Sequence, residues 1–345
     1  MSIAPSPSKR TRRGSGAVTL HEVAQKAGVA PITASRALNS PDKVSVDVLQ
    51  RVTEAVQALG YVPNRLAGGL ASTRSRLVAA LVPTMAGPVF LQTVQSLTQA
   101  LAEHGYQLML GQTGYIDPRT GEDLMLEALI GRRPDGMVLT GTLHSEQTRQ
   151  RLQAAGIPVV ETWDLSEQPI DMLVGFSHEG VGRSVAEFFL ARGFKRWAIV
   201  AGDDPRSQRR QHAFGQAALA FGLPPIQVRV VPAPTSLKSG RLALRQLLQE
   251  APAVDAVFCS SDLLALGVLT EARALGRAVP GQLAVMGFGD LDFAADLEPA
   301  LSTVQIDGAA MGRQAARFIM DRAEGRDVAL PVVDIGFTLI ERSST

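Results

Sequence analysis

The chain has 345 residues, a formal net charge of +1 and 46% hydrophobic residues, too much chain for one core and enough apolar material for two or three folding units. A single cysteine, Cys259, excludes an intramolecular disulfide, and five scattered histidines form no metal-ligand cluster of recognisable spacing, so neither a metal nor another cofactor is called for. The opening residues lack the apolar core of a signal peptide, and no apolar run approaches the roughly 20 residues that span a bilayer, so a cytoplasmic protein with no membrane association is expected.

In chain order, residues 1–17 are rich in Ser, Pro, Gly, Lys and Arg and read as a disordered basic arm. They begin a charge polarity that the total conceals: residues 1–76 hold 11 Lys/Arg against 4 Asp/Glu, and the remainder holds 23 against 29. A basic head on a mildly acidic body attracts phosphate at one end only. Residues 18–63 read as three short helices. Thr19 and Glu22 make a capping-box pattern, Leu20, Val23, Ala24 and Ala27 recur at helical spacing, and Gly28 is a stop. Pro31 opens a second helix to about Leu38, and Ser45 caps a third that runs to Gly60. Three short helices with a tight turn between the first two make a helix-turn-helix. Residues 64–75 are a linker with helical spacing interrupted by Gly68 and Gly69, each costing about 1 kcal/mol against Ala, so helix is expected only where a partner holds it.

From residue 76 the pattern changes to apolar strands alternating with amphipathic helices. Strands are predicted at 77–82, 106–110, 136–139, 157–160, 197–201, 228–231, 256–260 and 283–288, and helices at 89–103, 179–191, 208–221, 241–249 and 263–275. Repeated βα units over about 270 residues imply an α/β core of two doubly wound parallel sheets, with ligand bound at the carboxyl ends of the strands. The first subdomain is placed at about 76–176 with 303–330, and the second at about 177–302 with 331–343. The crossings near Ser177 and Ser302 are read as hinges.

"VTLHEVAQKAGVAPITASRALN" followed at fixed spacing by "YVPNRLAGGLA", with "GFSHEGVGR", "VFCSSDLLALG" and "VPGQLAVMGFGDLDFA" in order, resembles the lactose-repressor family from residue 18 onward. Within that family, "LVPTMAGPVF", "GRRPDGMVLTGT", "VVETWDL" and "MGFGDLDFA" are similar to the repressors of gluconate utilisation. The resemblance implies a homodimer on a palindromic operator DNA. Pro31 and Ile32 would face base edges, Arg36 would bridge guanine O6 and N7, and Thr19 with Leu20, Thr33, Ser35 and Asn39 would position the head on phosphates. In the linker Asn64 would cap a hinge helix, and Leu70, with Ala67 beside it, would wedge into the minor groove. Ala30 departs from the serine usual at that turn, losing a capping hydroxyl.

The same resemblance implies a periplasmic-binding-protein-like core that senses a small effector. Arg210 would grip a carboxylate, and Thr84, Phe90, Trp163, Asp164, Asp262 and Asp290 would line the cleft. Ala213, Ser261 and Gly289 depart from the Gly, Asn and acidic residue usual at their positions. The loss of one carboxylate beside a retained arginine favours an anionic sugar acid, gluconate or a relative, over a neutral sugar. A phosphorylated or different sugar and a corepressor sense are the alternatives. No P-loop, dinucleotide fingerprint, nucleophile elbow or H-E-x-x-H motif appears, so no catalytic residue is assigned. The chain also lacks a terminal leucine heptad, and a dimer is expected in place of a tetramer.

Overall fold

A computed structural model describes residues 18–62, 74–85, 87–114 and 118–345, and the chain divides into two compact units at Ser75/Arg76. The basic arm and the linker residues Asn64, Ala67 and Leu70 lie outside the described residues.

The head consists of α1 (Leu20–Ala27), α2 (Pro31–Asn39) and α3 (Val46–Leu59). Its first helix begins as the sequence dictates: the Thr19 amide donates to Glu22 Oε2 at 2.6 Å, and the Glu22 amide donates back to Thr19 Oγ1 at 3.4 Å. Gly28 ends it at φ 64°, where a Cβ would be strained. Ser45 accepts from the Val48 amide to start α3. The three helices close over small side chains, with Val23, Ala24, Ala34, Ala37, Val52 and Ala55 all buried. Arg51 donates across the bundle to the Ala27 carbonyl at 3.2 Å, occupying an acceptor left open at the end of α1.

The larger unit carries two six-stranded sheets. The first comprises β1 (Leu77–Val82), β2 (Gln107–Gln112), β3 (Gly136–Thr140), β4 (Val159–Thr162), β5 (Met172–Gly175) and β11 (Val332–Asp334), all parallel, in the order β11-β5-β4-β3-β1-β2. In register, Leu77 faces Gln107 and Val78 faces Gly136. The second comprises β6 (Trp197–Gly202), β7 (Gln227–Val231), β8 (Ala256–Cys259), β9 (Ala284–Phe288), β10 (Ser302–Gln305) and β12 (Thr338–Ile340), in the order β12-β10-β9-β8-β6-β7. Only its edge strand β12 runs antiparallel. The central strands are buried throughout, as expected where helices cover both faces.

Those helices are α4 (Leu91–Glu103), α5 (Pro118–Ile130) and α6 (Glu146–Ala155) in the first lobe, and α7 (His178–Ala191), α8 (Pro205–Ala220), α9 (Leu237–Glu250) and α10 (Asp262–Ala274) in the second. Helix α11 (Gly308–Ala323) returns to the first lobe, packing on α4 and against β3, β4 and β5. Among the described residues, no helix is long and apolar enough to cross a membrane.

The lobe boundaries differ from those expected. Residues 302–305 form β10 in the second sheet, so the chain returns to the first lobe only after Gln305, and β11 then adds to the first sheet before β12 goes back to the second. Three segments join the lobes, with the second crossing after Gln305 and the third after Asp334 in place of about 302 and about 330. The strands responsible are three or four residues long, too short for a two-residue alternation to betray which sheet they enter.

Candidate functional site

On the head, helix α2 presents Pro31, Ile32, Arg36 and Asn39 to solvent while Ala34 and Ala37 point into the core. Ile32 is 68% exposed, so its side chain gains little from burial in the head, and Arg36 lies one turn on along the same face. Thr33 and Ser35 are half-buried, and Asn39 Nδ2 donates to the Ser35 carbonyl at 2.9 Å. Thr19 is exposed with its hydroxyl engaged by Glu22, and Leu20 packs against the small core. Ala30 caps α2 without a side-chain bond, as its identity requires.

In the larger unit a cleft of about 690 Å³ opens where the carboxyl ends of strands from both sheets meet. Of the predicted residues, Thr84, Phe90, Trp163 and Arg210 line it. Trp163 follows β4 at φ 65°, a conformation that a bulky side chain adopts only when its surroundings impose it. Its indole Nε1 donates to Thr93 Oγ1 at 3.2 Å, and Phe90 and Phe176 meet its ring edge-on at 5.0 and 5.9 Å. The next residue's carbonyl would lie 1.7 Å from a Cβ at position 175, so Gly175 is what lets β4 and β5 close at this turn.

Arg210 is buried on α8. Its Nη2 donates to Ser207 Oγ and to the Ser260 carbonyl, both at 3.2 Å, and its guanidinium lies 4.0 Å from the centre of the Phe288 ring. Its Nη1 is 2.9 Å from His178 Nδ1. A guanidinium can only donate, so Nδ1 accepts and the imidazole proton sits on Nε2, which donates to the Trp163 carbonyl at 2.9 Å. Burial and then the neighbouring Arg210 and Arg206 charges hold His178 well below the usual histidine range, so the ring is uncharged near neutrality.

Several cleft residues were not anticipated: His178, Asp204, Arg206, Ser207, Thr235 and Ser260, while Ser261, noted only as a departure from the usual Asn, also lines it. The signal for three of them lay in Asp204-Pro205, a cap followed by a first-turn proline, which starts α8 one turn before the predicted 208. That turn places Arg206 over Phe90, 5.3 Å from the ring centre. Burial works against the Asp204 carboxylate, but Arg206, Arg210 and Ser207 together hold it below its ordinary value.

The three predicted aspartates are not in this lining. Asp164 borders a neighbouring cavity of about 570 Å³ with Thr142, His144 and Arg206. It accepts from Thr142 Oγ1 at 2.8 Å, from the Leu165 amide at 2.9 Å and from Arg209 Nη1 at 2.7 Å. Asp290 is bound by Arg342 and Gln305, each at 2.7 Å. Asp262 accepts from Thr303 Oγ1 at 2.7 Å and from the Leu291 amide at 2.8 Å. A strand end is legible in sequence, but whether its carboxylate faces the cleft or braces the neighbouring strand is not.

Burial pushes the Asp262 carboxyl up to about 6, against the opposing effect of the Thr303 and Leu291 bonds. An unfolded chain binds that proton only below the ordinary 3.8, so between 3.8 and about 6 the fold holds more proton than the unfolded state. Stability is therefore expected to fall as pH rises through that window. Asp262→Asn, whose amide can still accept from Leu291 and donate to Thr303, should flatten the slope in urea titrations run from pH 4 to 7. An unchanged slope would remove Asp262 as its source.

With the geometry in view, two family models match this chain: "Bacterial regulatory proteins, lacI family" over residues 19–64, and "Periplasmic binding protein-like domain" over residues 186–345. The HTH-type transcriptional regulator GntR of Pseudomonas aeruginosa is 37% identical across 97% of this chain and 98% of its own length. The chain belongs to the lacI family. A crystal structure of a lacI-family transcriptional regulator from Silicibacter pomeroyi superposes with a TM-score of 0.88 at 31% identity, covering 95% of this chain and 99% of that one. The structure of transcription regulator GntR from Chromobacterium violaceum gives 0.74 at 34% identity, over 78% and 98%. As a lacI-family member the protein is a DNA-binding transcriptional repressor and not an enzyme.

Proposed function

We propose that the protein represses genes of sugar-acid metabolism, sitting on operator DNA in the cytoplasm as a homodimer and leaving it when a gluconate-like monoanion fills the cleft. The observation that carries this reading is the charge of the lining. Arg206 and Arg210 face one carboxylate, Asp204, and an uncharged His178, leaving one positive charge in excess in a largely buried site. One carboxylate balances that excess, and the hydroxyls of Thr84, Ser207, Thr235 and Ser261, with the rings of Phe90 and Trp163, suit a polyhydroxylated chain.

The lobes meet at this cleft and are joined by the three crossing segments, which serve as the hinges. An effector that prefers one lobe arrangement shifts the balance only by its differential affinity for the two. In a dimer that shift changes the spacing of the two heads and, with it, operator affinity. Calorimetric titration of the full chain with gluconate, glucose and 6-phosphogluconate tests the reading, alongside operator release measured by fluorescence anisotropy. Gluconate should bind much more tightly than glucose and release the DNA. Glucose binding as tight as gluconate binding, or gluconate binding that leaves the operator complex intact, would refute it.

A further inference from the structure

The bonds of Arg210 divide between the lobes through one ring. From Nη2 they go to Ser207 and Ser260, both in the second lobe. From Nη1 the bond goes to His178, at the first turn of α7 immediately after the chain has crossed from the first lobe, and the other nitrogen of that ring reaches back to the Trp163 carbonyl. The imidazole is itself fixed: it is buried, Phe176 meets it edge-on at 4.7 Å, and Ser177 caps the helix it begins. Trp163, at the far end of the chain of bonds, belongs to the cleft wall and is held in a left-handed turn beside Asp164, which takes a second bond from α8 through Arg209. Two adjacent residues of α8 are thus tied to two adjacent residues of the first lobe, one directly and one through His178.

We propose that His178 is a positioning residue for effector binding, its Nδ1 holding the Arg210 guanidinium towards the cleft and its Nε2–H tying that guanidinium to the Trp163 carbonyl of the first lobe. The role needs an acceptor on one side of a rigid ring and a donor on the other, which the Nε2-protonated imidazole supplies. Any shift of the Trp163 turn moves the anion grip with it, so cleft occupancy and lobe arrangement share one mechanical element. The inference rests on the reading of Arg210 as the anion contact and assigns the residue that makes it competent.

Two measurements on the full chain test it. The first needs no effector: in the ¹⁵N-histidine NMR spectrum of the free protein, His178, assigned by its loss in His178→Asn, should show the Nε2-protonated tautomer at neutral pH, and Arg210→Met should displace its Nδ1 resonance. An Nδ1-protonated ring, or a resonance indifferent to Arg210→Met, overturns the proposal. The second is gluconate calorimetry on three variants. His178→Leu, which loses both bonds, should bind on the order of tenfold more weakly or worse, as should His178→Gln, which reaches only Trp163. His178→Asn places an amide oxygen where Nδ1 stands and should recover affinity to within about threefold of the parent, which a merely space-filling role would not produce. Asparagine as weak as leucine, or leucine as tight as the parent, overturns it. If the parent itself binds no gluconate, the effector reading fails and the NMR result alone decides the positioning role.

Discussion

Arg210→Ala is expected to weaken gluconate binding roughly 10- to 150-fold, the consequence of losing a charge-assisted hydrogen bond worth about 1.5 to 3 kcal/mol. The guanidinium is buried, so bulk water screens its charge only weakly, and no other arginine in the lining occupies its place between Ser260 and His178. Operator affinity should survive, because the head is a separate unit with its own core. The variant would then repress constitutively, holding DNA but deaf to effector. Arg210→Lys separates charge from geometry: it keeps the positive charge and loses the planar fork, so its affinity should fall between the two. Because the truncation strips donors from Ser207, Ser260 and His178, a thermal melt belongs beside the titration. Unchanged gluconate affinity in a folded Arg210→Ala protein would end the assignment of this residue as the anion contact.

The second large effect is expected at the head. Arg36→Ala removes an exposed guanidinium that packs against nothing essential in the three-helix core, so folding should be untouched. A bidentate arginine–guanine pair is worth about 1 to 3 kcal/mol of discrimination, and a dimer presents two, so operator affinity should drop by roughly 30- to 10⁴-fold at moderate salt. Gluconate affinity should be unchanged. Leu70→Ala, in the linker outside the described residues, is expected to impair operator binding likewise. Anisotropy titrations with operator and scrambled DNA at matched salt give the answer. An Arg36→Ala protein that still discriminates the two duplexes as the parent does would exclude a base-reading role.

How legible these features are in the sequence depends on how local their causes are. The capping box at Thr19–Glu22 and the stop at Gly28 involve residues three or four apart, and both stand where the pattern puts them. The same is true of β1 to β4 and β6 to β9, whose apolar runs are bounded by helices of opposite periodicity, whereas β5, β10, β11 and β12, three or four residues long, are not legible in the pattern. Asp262 and Asp290, placed in the cleft by resemblance, follow strands but brace neighbouring segments instead. Their partners Thr303, Gln305 and Arg342 lie 41, 15 and 52 positions away, and no local pattern announces such a pairing. His178 was in plain sight within "GFSHEG", but its importance comes from Arg210 and Trp163, which only folding brings to either side of one ring.

The late return of the chain to its first lobe governs how the molecule is born. Synthesis delivers the head complete once residue 62 has emerged, and its small core draws on nothing made later. The first sheet, by contrast, has five of its strands by residue 175 but lacks both its sixth strand and the helix that covers it until residue 335 is out. The second sheet waits longer still, for β12 and for Ser344, whose hydroxyl donates to the Val285 carbonyl and whose own carbonyl receives the Val285 amide. Both lobes are therefore finished together by one stretch of about 40 residues, from α11 to Ser344. Until that stretch arrives a nascent chain has a folded DNA reader attached to an unfinished sensor, and the sheet faces awaiting α11 are the surfaces a chaperone would have to shield.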